Sequence, residues 1–470
     1  MIPELLPELT LVAFALAIPC ISYISKNKKI IGYFSIIGFL LSLIAVLEIS
    51  QLSLRYSLYN DMILIDSFSI FFKSIFLCIG LLVAIASLDY IEGNYGEYYS
   101  LLMLSILGMM FVASANDLIF LFIGIEIASV STYILVAFRK KDKLGSEAGM
   151  KYFIIGAFSS ALLLYGISLL YGIANTTNIF SLKERIGEKL FEPIAVLAIV
   201  FLIAGFGFKM AAVPFHMWAP DTYEGAPTTI TALLASASKK VGFAAAMKVF
   251  IIGMLAVKIN WSVAFGIIAI VTMSVGNIIA IAQNSVKRML AYSSIAQAGY
   301  IMIAFAVLTK FAIAGSLLHI LTHAIMCFGA FIVVAIVVGE NIDDYAGLRR
   351  RAPFTAFAMT IFLLSLAGLP PLSGFISKFV LFSAAIQAGG WVVWLAVAGV
   401  LNSALSLYYY ARVIKYMYVV APSEKKEEIK SQKWLIITVI IAFALTVIIG
   451  IYPGPFIDFA IRGAGGLLPS

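Results

Sequence analysis

The sequence predicts an all-α protein that threads a membrane about fourteen times, and three observations lead there. Of its 470 residues, 62% are hydrophobic and only 12% charged, which is about half the charge of an average globular chain. The mean hydropathy is +1.05. The apolar residues gather into runs of about 20, the length that crosses a bilayer as a helix. No soluble core hides that much apolar surface.

The spans read, in order, 5–24, 30–50, 68–88, 99–115, 118–138, 149–173, 193–213, 228–256, 262–282, 289–309, 312–338, 353–384, 389–419 and 434–455. Acidic rather than basic residues precede the first, so it reads as a retained span and not a cleaved signal peptide. An even number of spans leaves both termini on one side, and the basic residues choose which. Eighteen of them fall on one face: Lys26, Lys28 and Lys29; Arg139, Lys140, Lys141 and Lys143; Lys287 and Arg288; Arg349, Arg350 and Arg351; and six from Arg412 to Lys433. Seven fall on the other, among them Arg55, Lys183, Arg185, Lys189 and Lys310. By the positive-inside rule the richer face is the inner one and both termini point outward. The net charge of +8 is thus explained by topology, and no nucleic-acid partner is expected. Cys20, Cys78 and Cys327 lie far apart in apolar runs, which excludes a CxxC pair, an Fe–S ligand set and a disulfide framework. Walker A and GxGxxG sequences are missing too, so this chain is expected to bind neither ATP nor a nicotinamide.

Seven basic residues remain inside spans: Lys73, Lys151, Lys209, Lys239, Lys240, Lys248 and Lys378. A lysine at hydrocarbon depth costs on the order of 3 kcal/mol unless it snorkels to the interface. Lys73, Lys151 and Lys248 lie near span ends and are expected to snorkel. Lys209, Lys239 and Lys378 are not so easily excused. Lys240 is about 100° further round its helix than Lys239, so at most one of the two faces a given partner. The one carboxylate read as deep in a span is Glu126, in FLFIGIEIASV.

Burial disfavours the charged form of amine and carboxylate alike, and an opposite charge nearby restores it. A buried lysine beside a movable glutamate can therefore switch between charged and neutral near neutral pH, because Coulomb energy at low dielectric falls steeply with distance. That arrangement carries protons. A sodium site needs several hard oxygen ligands, and a single carboxylate does not supply them.

Two lysines sit beside helix breaks. Lys209 precedes Pro214 in GFKMAAVPFHMWAPDTYEGAPT, and Pro370 and Pro371 precede Lys378 in LAGLPPLSGFISKF. Proline inside a span frees carbonyls, which membranes tolerate where backbone faces protein or a cavity. The two breaks are five spans apart, and an odd separation reverses direction, as inverted repeats of spans four to eight and nine to thirteen require. Two unrelated kinks are the alternative. His216 follows Pro214, while His319 and His323 stand at i and i+4 on one face of span eleven. With no third ligand and no HExxH, a proton relay or interhelical hydrogen bonding is expected there rather than a metal. Met, Phe and Tyr are read as packing or lipid-facing residues.

These runs, with NDLIFLFIGIEIASVSTYIL, SASK and KRMLAYSSIAQAGY, closely resemble the antiporter-like membrane subunits of respiratory complex I, and among them the N-type subunit of NADH:quinone oxidoreductase. The likeness covers spans four to thirteen. It implies a non-redox, proton-translocating subunit of an enzyme whose donor site (NADH or another donor), flavin, Fe–S clusters and quinone site belong to partner subunits, with no cofactor in this chain. It also implies other antiporter-like subunits and lipid as neighbours, and a prokaryotic plasma membrane rather than an organellar one. Carried over by motif, Glu126 matches the family's span-five glutamate, Lys209 its span-seven lysine, Lys239 the connecting lysine of span eight and Lys378 the lysine of broken span twelve. His216, His319, His323, Gln297 and Lys151 are candidate relay residues. The corresponding division is 1–98 for the first three helices, 99–256 and 257–419 for the repeats, and 420–470 for the last loop and helix.

Two departures bear on subtype. Gln297 stands where many N-type subunits have His. Cys327, in THAIMCFGAF, replaces the lysine of the L- and M-type relatives and points to an N-type or archaeal-like subunit. The chain ends soon after span fourteen, so the long lateral helix of the L-type subunit is not expected. An Mrp-type cation/proton antiporter or a membrane-bound hydrogenase subunit shares these motifs and is the competing reading. A non-conducting spacer is the third.

Overall fold

The computed structural model describes residues 3–25, 29–51, 55–91, 93, 95–186, 193–422, 429 and 432–468. Lys26, Lys28, Lys189, Lys425, Lys426 and Lys430, counted above in loops, lie outside the described residues. The chain begins with α1 (Leu6–Ile24), α2 (Lys29–Gln51), a hairpin of β1 (Tyr56–Leu58) and β2 (Ile63–Ile65), and α3 (Ser67–Tyr90). Five spans follow: α4 (Tyr95–Ser114), α5 (Leu118–Val136), α6 (Lys143–Ala174) with short α7 (Ile179–Arg185) after it, a broken seventh, and an eighth. The seventh is α8 (Pro193–Met210) plus α9 (Trp218–Gly225). The eighth is α10 (Thr228–Leu233), a π-helical stretch Leu234–Ser238, α11 (Lys239–Ala246) and a second π-helical stretch Met247–Gly253. The next five are α12 (Lys258–Ile281), α13 (Val286–Val307), α14 (Lys310–Val337) with short α15 (Leu348–Arg351) after it, a broken twelfth of α16 (Pro353–Ala367) and α17 (Ser373–Ala388), and α18 (Val393–Tyr418). Then come α19 (Lys433–Ile451) and amphipathic α20 (Gly454–Leu467).

Twelve of the described helices are long and apolar enough to cross a membrane, and the interrupted eighth and twelfth spans bring the number to fourteen, as the hydropathy predicts. The loops sort onto two faces. On one, Tyr90 bonds Thr228 (3.1 Å), Arg288 bonds Asp221 (3.0 Å), Lys287 bonds Glu340 (3.1 Å) and Arg412 bonds Asn284 (2.8 Å). On the other, Asn116 bonds the Asp61 carbonyl (2.9 Å) under the hairpin. The first face is the lysine- and arginine-rich one. Neither the hairpin nor α20 was expected, since both are too short or too polar on one side for a hydropathy run; α20 packs along α3 and α14.

The two five-span units are built alike. The N–H of Leu118 bonds the carbonyl of Thr177 (2.8 Å) and that of Ile179 bonds Asn116 (2.9 Å), clipping the start of α5 to the strand of chain after α6. The same clip recurs between Val286 and Glu340 (2.6 Å) and between Ile342 and Asn284 (2.9 Å), at the start of α13 and the end of α14. In both units the first two helices touch backbone to backbone. A Cβ on Gly108 would lie 2.5 Å from the Ala128 nitrogen, and one on Gly276 2.7 Å from the Ala296 nitrogen. Small residues permit this approach where lipid gives helices no hydrophobic reason to associate.

Three expectations about buried charge are corrected. Lys73 does not snorkel: its amine pairs with Glu8 at 2.6 Å, the side chains being 2% and 4% exposed. Both side chains are enclosed in the bundle and long enough to reach each other, so the amine meets the carboxylate before it meets the surface. Lys248 does not snorkel either, because the eighth span runs through the middle of the bundle, and it is 2% exposed. Glu126 is not the deeply buried carboxylate; it is half-buried at the rim of the chain, while Glu8 is enclosed.

Candidate functional site: a lysine track through two broken helices

Helix α5 starts where the Asp117 side chain accepts hydrogen bonds from the backbone N–H of Ile119 (2.8 Å) and Phe120 (3.0 Å), a standard N-cap. Nine residues on, Glu126 accepts a hydrogen bond from Ser160 of α6 at 2.6 Å. Ser129, one turn further along α5, accepts one from Lys209 at 2.8 Å. Lys209 stands in the last turn of α8, which ends because Ala211 takes a left-handed φ of 55° and Pro214 has no N–H to continue the ladder. A cation is favoured at such a C-terminus, where carbonyls lack partners. Lys209 also lies 6.0 Å from the ring centre of Tyr133. It forms no direct ion pair with Glu126 among the described residues; the two act on each other through space.

Gly242 of α11 lets α8 come close, since a Cβ there would meet the Lys209 carbonyl carbon at 2.8 Å. Between these helices is a cavity of ≈10 Å³, lined by Ser129, Lys209, Tyr152 and Ser238 among others, about the space one water needs. Ser238 closes the first π-helical stretch, and Lys239 and Lys240 follow it. Their amines diverge as the 100° step predicts. Lys239 donates to Ser294 of α13 (2.7 Å) and lies 5.4 Å from the Tyr223 ring centre. Lys240 meets Nδ1 of His323 at 2.6 Å.

From His323 the polar groups continue into the second unit. The rings of His323 and His319 are 6.2 Å apart. His319 bonds Ser377 (2.9 Å) through one ring nitrogen and Gln297 (3.0 Å) through the other. Gln297 donates to the Leu366 carbonyl (3.0 Å), and Lys378 donates to that same oxygen at 2.8 Å, to Ala367 at 3.3 Å and to Ser403 at 3.0 Å. Leu366 and Ala367 end α16, so Lys378 occupies the free carbonyl end that the Pro370–Pro371 break leaves. It also lies 4.6 Å from the Tyr300 ring centre.

The structure thus brings Lys240, His323, His319, Gln297 and Lys378 into one chain of contacts, with Glu126, Lys209 and Lys239 along the approach. His216 is buried in the turn of broken span seven, both ring nitrogens without a side-chain partner. Lys151 is exposed and pairs with Glu147 (2.8 Å) and Asp221 (3.0 Å) at the basic face. Sequence reasoning ranked Lys239 over Lys240 and missed Lys240 as a participant, together with Ser129, Ser160, Ser377 and Ser403. The doublet KK was its one signal. Among the described residues no group of three or more His, Cys, Asp or Glu side chains is placed to hold a metal.

Known proteins agree with this architecture. Residues 115–406 match the family described as NADH:quinone oxidoreductase/Mrp antiporter, TM. The F(420)H(2) dehydrogenase subunit N of Methanosarcina mazei is 46% identical, across 99% of this chain and 99% of that protein. The NADH-quinone oxidoreductase subunit N of Trichlorobacter lovleyi is 41% identical, across 97% of this chain and 95% of that one. In the structure of respiratory complex I from Thermus thermophilus with bound aureothin, one chain superposes with a TM-score of 0.83 at 28% identity, across 97% of this chain and 99% of that one. The family match begins just after α4, runs into α18 and takes in both broken helices and the lysines beside them, and the chain belongs to the NADH:quinone oxidoreductase/Mrp antiporter membrane-subunit family.

Proposed function

We propose that this chain is the N-type, proton-translocating membrane subunit of a multi-subunit quinone-reducing oxidoreductase, and that Glu126, Lys209, Lys239 and Lys378 carry the translocation. The observation that supports it best is the string of contacts from Lys240 through His323, His319 and Gln297 to Lys378. Every amine in it rests on a neutral partner. An amine held by a carboxylate is fixed as ammonium, whereas one held by a hydroxyl, imidazole or carbonyl can give up its proton when its surroundings change. In this reading protons enter from the basic, inner face towards Lys209 and Lys239, cross to Lys378 and leave outward; Glu126 tunes Lys209 from the rim, where a neighbouring subunit would feel its charge. The repeats, 99–256 and 257–419, would serve as the uptake and the release half. The redox chemistry belongs to partner subunits, so the chain contributes no catalytic redox group of its own. Both termini face outward across a prokaryotic plasma membrane.

The Mrp-type antiporter reading shares the fold, but the relatives at 41% and 46% identity are named as subunits of an oxidoreductase and a dehydrogenase. Replacing Lys209 by Met tests the proposal in the purified complex reconstituted in vesicles. Proton translocation linked to quinone reduction should be lost while the chain still copurifies with its partners. Undiminished translocation rules the assignment out.

A further inference from the structure

Lys248 is a lysine for which the track above has no use. It is 2% exposed, eight residues beyond Lys240 on the same span, and lies in the second π-helical stretch of that span. The first such stretch ends immediately before Lys239 and Lys240, so the eighth span departs from α-geometry at each of its buried amines; such departures concentrate at functional sites. The Lys248 amine donates to the carbonyl of Ala115 at 2.8 Å and lies 5.6 Å from the Phe68 ring centre. Ala115 follows the last residue of α4, beside the outer loop in which Asn116 bonds Asp61. Lys248 therefore reaches from the lysine track towards the outer face.

Its surroundings sort it with the track rather than with the structural lysines. Lys73, Lys151 and Lys287 are each within ion-pair distance of a carboxylate. Lys209, Lys239, Lys240, Lys378 and Lys248 are not, among the described residues; each amine rests on neutral groups, and Lys248 and Lys378 both on the carbonyl end of a helix. The charged groups that act on Lys248 through space are Asp66, Lys73 and Arg55. A buried ammonium without a carboxylate partner is costly to keep in a membrane protein.

Resting on the proton-translocating reading, we propose that Lys248 is a proton-carrying residue that gives the first five-span unit its own outlet to the outer face, parallel to the outlet at Lys378. Its ammonium releases a proton outward and is reprotonated from the Lys239–Lys240 pair. The competing role is purely structural, a cation capping the end of α4. Arginine distinguishes the two, because it keeps the charge and the donor but does not deprotonate in proteins.

The experiment compares protons translocated per quinone reduced in the reconstituted complex for Lys248→Arg, Lys378→Met and the double variant. With two outlets, Lys248→Arg should assemble and lower the ratio by about twofold, since one amine no longer titrates. Lys378→Met should keep a measurable remainder and the double variant none. An unchanged ratio in Lys248→Arg leaves only the cap and overturns the outlet, as does complete loss in Lys378→Met alone. Should Arg hinder assembly, Lys248→Gln, which also keeps a donor for the Ala115 carbonyl, is read the same way. If Lys248→Arg translocates fully while Lys209→Met does not, only the outlet fails; if both translocate fully, the parent reading fails with it.

Discussion

In the first five-span unit Lys209 is half-buried at the rim of the chain, with the Glu126 carboxylate close by and Ser129 as its direct partner. In the second, Lys378 is 4% exposed and held by two carbonyls and a serine, with no carboxylate in ion-pair distance among the described residues. The matching backbone clips align the two units, the start of α5 on the start of α13. Nine residues beyond the N-caps Asp117 and Ser285, Glu126 then falls on Ser294, and Ser129 falls on Gln297. The acid of the first unit is thus a hydroxyl in the second, and that hydroxyl receives Lys239. One architecture holds an adjustable amine at its rim and a set of neutral-partnered amines at its centre. The difference is the presence of a single carboxylate; in the translocation reading proposed above, it separates a lysine whose charge a neighbour would regulate from lysines that would respond to one another.

That comparison can be broken at its centre. Ser294→Glu would give the second unit the acid it lacks, 2.7 Å from where the Lys239 amine now donates. A buried Lys–Glu pair fixes both charges, so translocation per quinone reduced should fall by roughly tenfold or more, about 1.4 kcal/mol or greater in barrier, with assembly retained. Translocation equal to the parent's would mean that Lys239 need not deprotonate.

It can be sharpened at the rim. Glu126→Gln keeps an acceptor for Ser160 and removes only the charge. Because Glu126 is half-buried and not in contact with Lys209, the lost attraction is on the order of 1 kcal/mol at a near-surface dielectric. Translocation measured at saturating quinone should slow by about fivefold without stopping. Complete loss would show that the carboxylate itself carries the proton.

The smallest effect belongs to the basic face. Lys151→Ala removes an exposed amine from Glu147 and Asp221, while Arg288 continues to hold Asp221 at 3.0 Å and Glu224 at 2.5 Å. Exposed pairs of this kind contribute little, so translocation and thermal stability should both match the parent within error. A clear loss of translocation would move Lys151 from the surface network into the entry path.

Much of the architecture follows from local chemistry and was legible in the sequence: the fourteen spans from their apolar length, the two interruptions from Pro214 and Pro370–Pro371, the two faces from basic residues, and the lysines from their cost in lipid. What each lysine touches was not legible. In a span such as α5 or α13 the apolar residues are spread round the helix and not gathered on one side, so its periodicity carries no sign of which face meets protein and which meets lipid. Only the assembly of the first four helices decided that Lys73 of α3 meets Glu8 of α1. Only the central position of the eighth span enclosed Lys248, and only the approach of α14 joined Lys240 to His323, 83 positions away in the chain. Hydropathy fixes the depth of a residue, which is a property of its own segment. Partnership depends on how helices distant in the chain are rotated against one another, and that is decided when the bundle packs.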